Sequence, residues 1–121
     1  MTRDKKIVIF EDDPDIAELC SLILTREGYE VHHFLTVDNH IEHLLSICPK
    51  LILMDYMIPG GGGDAATSSI KSHPYLSDIK VLIVSASTAI EKVAKESGAD
   101  GFIKKPFDLY DFTSVIRSYT N

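Results

Sequence analysis

Five residues of this chain carry side chains suited to oxygen and phosphorus chemistry, and each stands next to an apolar run. Glu11 and Asp12 follow Ile7-Val8-Ile9-Phe10 within FEDDP; Asp55 follows Leu51-Ile52-Leu53-Met54; Ser85 follows Val81-Leu82-Ile83-Val84; Lys105 sits just before Pro106, after Gly101-Phe102-Ile103. With Asp13, the first group puts three carboxylates side by side. Two carboxylates about 5 Å apart repel by roughly 3 kcal/mol at an effective dielectric near 20, so such a cluster calls for a cation. Hard oxygens suit Mg²⁺, which takes one or two carboxylates and keeps waters and a phosphate oxygen. An aspartate is also an oxygen nucleophile able to take a phosphoryl group as an aspartyl phosphate. An ammonium neutralises charge on the transferring group and a hydroxyl hydrogen-bonds to it. Taken singly, each residue has an ordinary explanation: a solvated helix start, a turn residue, a strand-ending serine, a surface lysine. The chemistry requires that the chain bring them to one place.

The elements that would do so are legible in the hydrophobic period. Apolar runs and amphipathic stretches alternate five times with short connections, the pattern of an α/β domain with a parallel sheet. The expected strands are 5–10, 29–34, 50–55, 79–85 and 101–104. Asp13 and Pro14 open a first helix with the stripe Ile16, Leu19, Cys20, Ile23, Leu24, stopped by Gly28. A second carries Val37, Ile41, Leu44 and Leu45 before Pro49, and a weakly patterned third spans about 64–73. The fourth carries Ile90, Val93 and Ala94 up to Gly98, and the last runs from a cap at Asp108 through Leu109, Phe112, Ile116 and Tyr119.

Strands covered on both faces read as continuous apolar runs, which makes the first, third and fourth central. The alternating Tyr29-to-Phe34 strand and the short Gly101-Phe102-Ile103 strand belong at the edges. Right-handed crossovers then give the order 2-1-3-4-5, a flavodoxin-like doubly wound five-stranded parallel sheet with five helices. Ligands of such sheets bind at the carboxyl ends of the strands. Glu11, Asp12, Asp55, Ser85 and Lys105 all fall at those ends, on one rim.

The rest of the sequence narrows the class. At 121 residues the chain has the size of one domain, 1–121, and buries roughly two-thirds of its unfolded surface. A net charge of −6 argues against direct nucleic-acid binding. No apolar stretch reaches the ~20 residues of a membrane span, and the opening Met-Thr-Arg-Asp-Lys-Lys has no signal-peptide pattern, so the expected location is cytoplasmic. Cys20 and Cys48 lack metal or redox spacing and lie among apolar neighbours, predicting two reduced, buried, structural thiols. His40 and His43 are three apart with no third ligand nearby, and His32, His33 and His73 read as surface or edge residues. Tyr110 and Tyr119 read as packing and surface positions of the last helix.

Four segments, IVIFEDDPDI, LILMDYMIPG, VLIVSAS and GADGFIKKPF, together resemble a response-regulator receiver domain of two-component signalling, in that family's order and near its spacing. The resemblance covers essentially the whole chain. It implies that Asp55 is the phosphoacceptor, that Glu11 and Asp12 are the acidic pair, and that Asp12 and Asp55 ligate Mg²⁺ with the backbone carbonyl of Met57, Glu11 acting mostly through water. It implies Lys105 as the phosphate-binding lysine, Ser85 and Phe102 as switch positions, and a cis Lys105–Pro106 bond. The phosphoryl group would come from a sensor histidine kinase or a histidine phosphotransfer protein. Its arrival would repack the fourth helix, fifth strand and fifth helix for a fused effector domain or a downstream protein, until autodephosphorylation.

Three features depart from the pattern. Gly61 and Gly62 replace an apolar and a polar or acidic residue, predicting a loop of unusual freedom after Asp55. Phe102 lacks the phenolic hydroxyl, and the stretch from Ser85 to Gly98 is a residue or two short. The rival reading is a pseudo-receiver that binds a partner without being phosphorylated. An FMN-binding flavodoxin would want a hydroxyl- and glycine-rich phosphate loop where this chain places negative charge. A haloacid-dehalogenase-like phosphatase would need a second aspartate at the position of Met57.

Overall fold

In the computed structural model, which describes residues 6–121, ten elements follow one another in strict alternation. They are β1 (Lys6–Phe10), α1 (Pro14–Arg26), β2 (Glu30–Phe34), α2 (His40–Ile47), β3 (Leu51–Asp55), α3 (Gly63–Ser72), β4 (Lys80–Ser85), α4 (Ile90–Ser97), β5 (Gly101–Lys104) and α5 (Leu109–Thr120). The five strands form one parallel sheet in the order β2-β1-β3-β4-β5, as expected. The expected start of β1 at Lys5 lies outside the described residues.

Alternation along the central strands divides the core into two. Val8, Phe10, Ile52, Met54, Val81 and Ile83 join Leu44, Ile70 and Ile90 beneath α2, α3 and α4. Ile7, Ile9, Leu51, Leu53, Leu82 and Val84 join Cys20, Leu24, Phe112 and Ile116 beneath α1 and α5. Both sets are buried because parallel crossovers put helices on both faces. The register is equally definite: Phe10 pairs with Met54, Asp55 with Val84, and Ser85 with Lys104.

Local chemistry sets the helix starts. Asp13 Oδ1 accepts the N–H groups of Asp15 (2.9 Å) and Ile16 (3.3 Å), capping α1 ahead of Pro14. Asp108 Oδ1 caps α5 through the N–H of Asp111 at 2.7 Å. The helical stripes come out slightly rotated. Leu19, Leu45 and Leu109 are exposed, while Ala17 and Thr113 are buried, because the smaller side chains let the helices approach the sheet. Val37 precedes α2 rather than belonging to it, yet is buried as a loop anchor. The expectation of two buried cysteines holds for Cys20 and fails for Cys48. Cys48 is exposed because it ends α2 in a left-handed conformation (φ 52°) that turns it outward while Pro49 enters the core.

The glycine run has a backbone reason. Gly60, Gly61 and Gly62 all adopt positive φ (102°, 128° and 93°), a region L side chains rarely visit. Gly63 does not, but a Cβ there would overlap the carbonyl oxygen of Asp55, so α3 starts in direct backbone contact with the end of β3. The two kinds of requirement separate experimentally. Gly61→Ala, which meets open space, should cost about 1 kcal/mol through φ alone, whereas Gly63→Ala should cost about 2–4 kcal/mol through the clash. Urea denaturation checks the order; equal costs would contradict it.

Candidate functional site

The parallel ladders deliver the site. One step beyond the Phe10–Met54 pair come Glu11 and Asp55, both in phase with the residues that face α1 and α5. Three of the four ladders run one hydrogen bond past the strand: Glu11 N–H to Phe34 O (3.0 Å), Tyr56 N–H to Val84 O (3.1 Å) and Lys105 N–H to Ser85 O (2.8 Å). A one-residue slip would carry a carboxylate to the opposite face.

The structure brings Glu11, Asp12, Asp55, Ser85 and Lys105 to one rim. Carboxylate oxygens of Glu11, Asp12 and Asp55 lie within 4.8 Å of one another, with Asp12 exposed and the other two buried. Lys105 Nζ donates to Glu11 Oε1 at 2.9 Å and stands 3.6 Å from Asp55 Oδ1. Glu11 Oε2 accepts the N–H of Asp13 at 3.1 Å. Ser85 Oγ accepts the N–H of Ser87 at 3.0 Å, leaving its own O–H free to donate elsewhere. Asp55, Met57, Ser85, Ser87 and Lys105 line an open cleft of about 430 Å³. Lys105–Pro106 is cis. Phe102 is exposed on β5, opposite Ile83. His40 and His43 form no metal cluster among the described residues; His43 stacks on Phe34 at 4.2 Å.

Burial and crowding show in the electrostatics. Burial, then the charge of Glu11, pushes the Asp55 carboxyl up to about 6; Lys105 pulls the other way, and a hydrogen bond and charge from Asp12 add to the rise. Burial opposes the charge on Lys105, but its hydrogen bond to Glu11 and the charges of Asp55 and Glu11 outweigh it, and its pKa is raised. Below the rim, burial and then Glu11 push the Cys20 thiol up to about 11. The site therefore holds more negative charge than its single lysine neutralises.

Those oxygens fit a small divalent cation. Octahedral Mg²⁺ with ligands at about 2.1 Å spans no more than ~4.2 Å across. The three carboxylate oxygens, within 4.8 Å of one another, therefore need shift by no more than a few tenths of an ångström to share one such ion, directly or through water.

Sequence reasoning missed two parts of this arrangement. The direct Lys105–Glu11 bond depends on side-chain reach rather than on motif spacing. Gly63 was hidden among four consecutive glycines, and only its closeness to Asp55 distinguishes it.

Fold and rim together define a parallel α/β protein with an acidic, lysine-bridged site at the carboxyl edge of its sheet. The chain belongs to the response regulator receiver domain family, which it matches over residues 7–117. It is 29% identical over 116 residues to the phosphate regulon transcriptional regulatory protein PhoB of Escherichia coli (strain K12), covering 94% of this chain and 51% of PhoB. The signal receiver domain of a signal transduction histidine kinase from Syntrophus aciditrophicus superposes with a TM-score of 0.87 at 29% identity, covering 96% of this chain and 89% of that one. A CheY-like response regulator receiver domain protein from Methanospirillum hungatei JF-1 gives 0.84 at 27%, covering 96% and 93%. The chain spans about half the length of the curated relatives it matches. Among the described residues, no helix is long and apolar enough to cross a membrane.

The raised Asp55 pKa predicts an inverted pH dependence. The folded state holds an extra proton between the ordinary aspartate value of 3.8 and about 6, so this residue's contribution to stability falls as pH rises through that window. Above it the metal-free protein carries the full penalty. Asp55→Asn should therefore stabilise the metal-free protein at pH 7.5 by about 1–3 kcal/mol, at ~1.4 kcal/mol per pKa unit, and by nothing near pH 4. Thermal melts at the two pH values check this; a destabilised variant at pH 7.5 would refute it.

Proposed function

We propose that residues 1–121 form a single phosphoacceptor receiver domain in which Asp55 takes a phosphoryl group from a phosphohistidine. The observation that carries the reading is the convergence of Glu11, Asp12, Asp55 and Lys105, three carboxylates and one ammonium, at adjoining strand ends. Family membership supports it: receiver domains are the signalling phosphoacceptors of two-component systems and bind Mg²⁺ through acidic residues.

In the proposed reaction an Asp55 carboxylate oxygen forms a bond to phosphorus as the phosphorus–nitrogen bond of the donor breaks. The departing imidazole retains the electron pair and picks up a proton. Asp12, Asp55 and the Met57 backbone carbonyl would hold Mg²⁺, with Glu11 acting through water. The cation, when bound, supplies positive charge against the transferring oxygens. Lys105 supplies the second such charge and has only to turn from Glu11 toward the incoming group. The Ser85 hydroxyl, already holding the Ser87 N–H, donates its free hydrogen to a phosphoryl oxygen. Movement of Ser85 toward the phosphoryl group would open room for Phe102 to turn inward, altering the α4-β5-α5 surface. Autodephosphorylation then resets the domain.

The proposed partners are a sensor histidine kinase or a histidine phosphotransfer protein upstream, and a fused effector or a separate protein downstream. The acidic chain itself makes no direct nucleic-acid contact in this reading, and its setting is the cytoplasm.

Incubation with Mg²⁺ and a small phosphodonor such as acetyl phosphate should add the mass of one phosphoryl group to the intact protein. EDTA or Asp55→Asn should abolish the addition, and label persisting in Asp55→Asn would overturn the assignment. Lys105→Ala should slow labelling by about 10²–10³-fold, the loss typical of one preorganised charge-stabilising group, without preventing Mg²⁺-induced changes in tyrosine fluorescence. An unlabelled wild type under these conditions would favour the phosphorylation-independent pseudo-receiver.

A further inference from the structure

The loop after Asp55 is fastened on its far side by a histidine that the proposed transfer does not use. Pro59 O accepts the N–H of Val37 at 3.0 Å, joining this loop to the turn before α2. The backbones there are close: a Cβ on Gly60 would lie 3.0 Å from both Val37 Cγ2 and Asp38 Oδ1. The carbonyl of Val37 in turn accepts two donors from His40, the backbone N–H and ring Nδ1, each at 3.0 Å. The other ring nitrogen, Nε2, meets Ser69 Oγ on α3 at 2.7 Å, and Ser69 Oγ lies 2.9 Å from Ala66 O.

Hydrogens can be counted along this chain of contacts. Carbonyl oxygens only accept, so Nδ1 carries a hydrogen in either charge state of the ring. Ser69 has a single hydroxyl hydrogen. When the ring is neutral, Nε2 and Ala66 O compete for it, and the loser faces an oxygen lone pair at close range. A hydrogen on Nε2 removes the conflict: the ring donates to both Val37 O and Ser69 Oγ, and Ser69 donates to Ala66 O. We propose that His40 is a positioning residue whose protonation tightens a clasp between α3, the turn before α2 and the loop that follows Asp55.

The charged groups of the surrounding elements are Asp38 before α2, Glu42 in the first turn of α2, and Asp64 and Lys71 in the first and last turns of α3, Lys71 being paired with Asp100. His43, one turn on, is stacked on Phe34. The two described ring contacts go to Val37 and Ser69, so the clasp is set by hydrogen-bond stoichiometry rather than by an ion pair. Its relevance to phosphoryl acceptance rests on the proposed role of Asp55, four residues before Pro59; its geometry does not.

The test uses the metal-free chain with no phosphodonor. Ring ¹⁵N shifts of His40 are followed against pH in the wild type and in Ser69→Ala, a substitution at an exposed helical position that alanine suits. The second ring proton should be lost at lower pH in Ser69→Ala. Val37 amide exchange, corrected for its intrinsic pH dependence, should speed up about fivefold as the wild-type ring loses that proton, one hydrogen bond's worth. In His40→Gln the corrected rate should be flat. Coincident titrations in the two proteins, or Val37 exchange indifferent to the ring's charge, would overturn the clasp. Neither result depends on whether Asp55 is phosphorylated.

Discussion

Everything at the rim follows from one constraint, the repulsion among carboxylates that the sheet register forces together. Glu11 and Asp55 cannot move apart, because Glu11 directly follows β1 and Asp55 ends β3, and the buried residues Ile7–Phe10 and Leu51–Met54 of those strands are held in fixed hydrogen-bonded register. Their backbones are held by a core of isoleucine, leucine, valine and methionine side chains that are worth about 1.5–3 kcal/mol each when buried. Against such a framework, a few kcal/mol of Coulombic strain is tolerated rather than relieved by rearrangement. The strain appears as the raised pKa of Asp55 and as the ammonium drawn in between Glu11 and Asp55. A fold stabilised elsewhere thus keeps a binding site in a state that a cation would improve.

The same distinction explains what the sequence made legible. Continuous apolar runs fix which strands are central. The residue ending each run must emerge at one edge of the sheet, so the meeting of Glu11, Asp55, Ser85 and Lys105 could be read without coordinates. Helix orientation was less accessible. Leu19 and Leu109 fit the apolar period as well as Cys20 and Phe112 do, and are exposed. The discriminating residues, Ala17 and Thr113, are small or polar and carry little hydrophobic signal. Cys48 was misplaced for a related reason: composition placed it with the apolar neighbours, whereas its left-handed backbone turned it out. Such a conformation at a non-glycine residue has no local signature.

The glycine run shows how one composition supports two physical accounts. Four glycines in a row predict freedom, since each lacks the steric walls that confine other residues. Three of them hold positive φ, and the fourth lies against the Asp55 backbone where a Cβ would clash. A loop that needs glycine at every position is specified by those requirements. Its path brings Gly60 onto Val37 and Asp38 and leaves the exposed Met57 beside the cleft. The freedom of the residue type is consumed in making the backbone approach.

The resting position of Lys105 bears on the same balance. Its ammonium is 2.9 Å from Glu11 and 3.6 Å from Asp55, so it favours the carboxylate that does not receive the phosphoryl group in the proposed reaction. At an effective dielectric near 20, the difference between those two separations is only about 1 kcal/mol. A negative group arriving beside Asp55 would outweigh it easily, and the long lysine side chain can follow without any backbone movement. A cation drawn to the carboxylates would push in the same direction, because it weakens the hold of Glu11 on the ammonium. The lysine is therefore neither locked to its neighbour nor free in solvent. It is held by a preference small enough for the incoming charge to reverse.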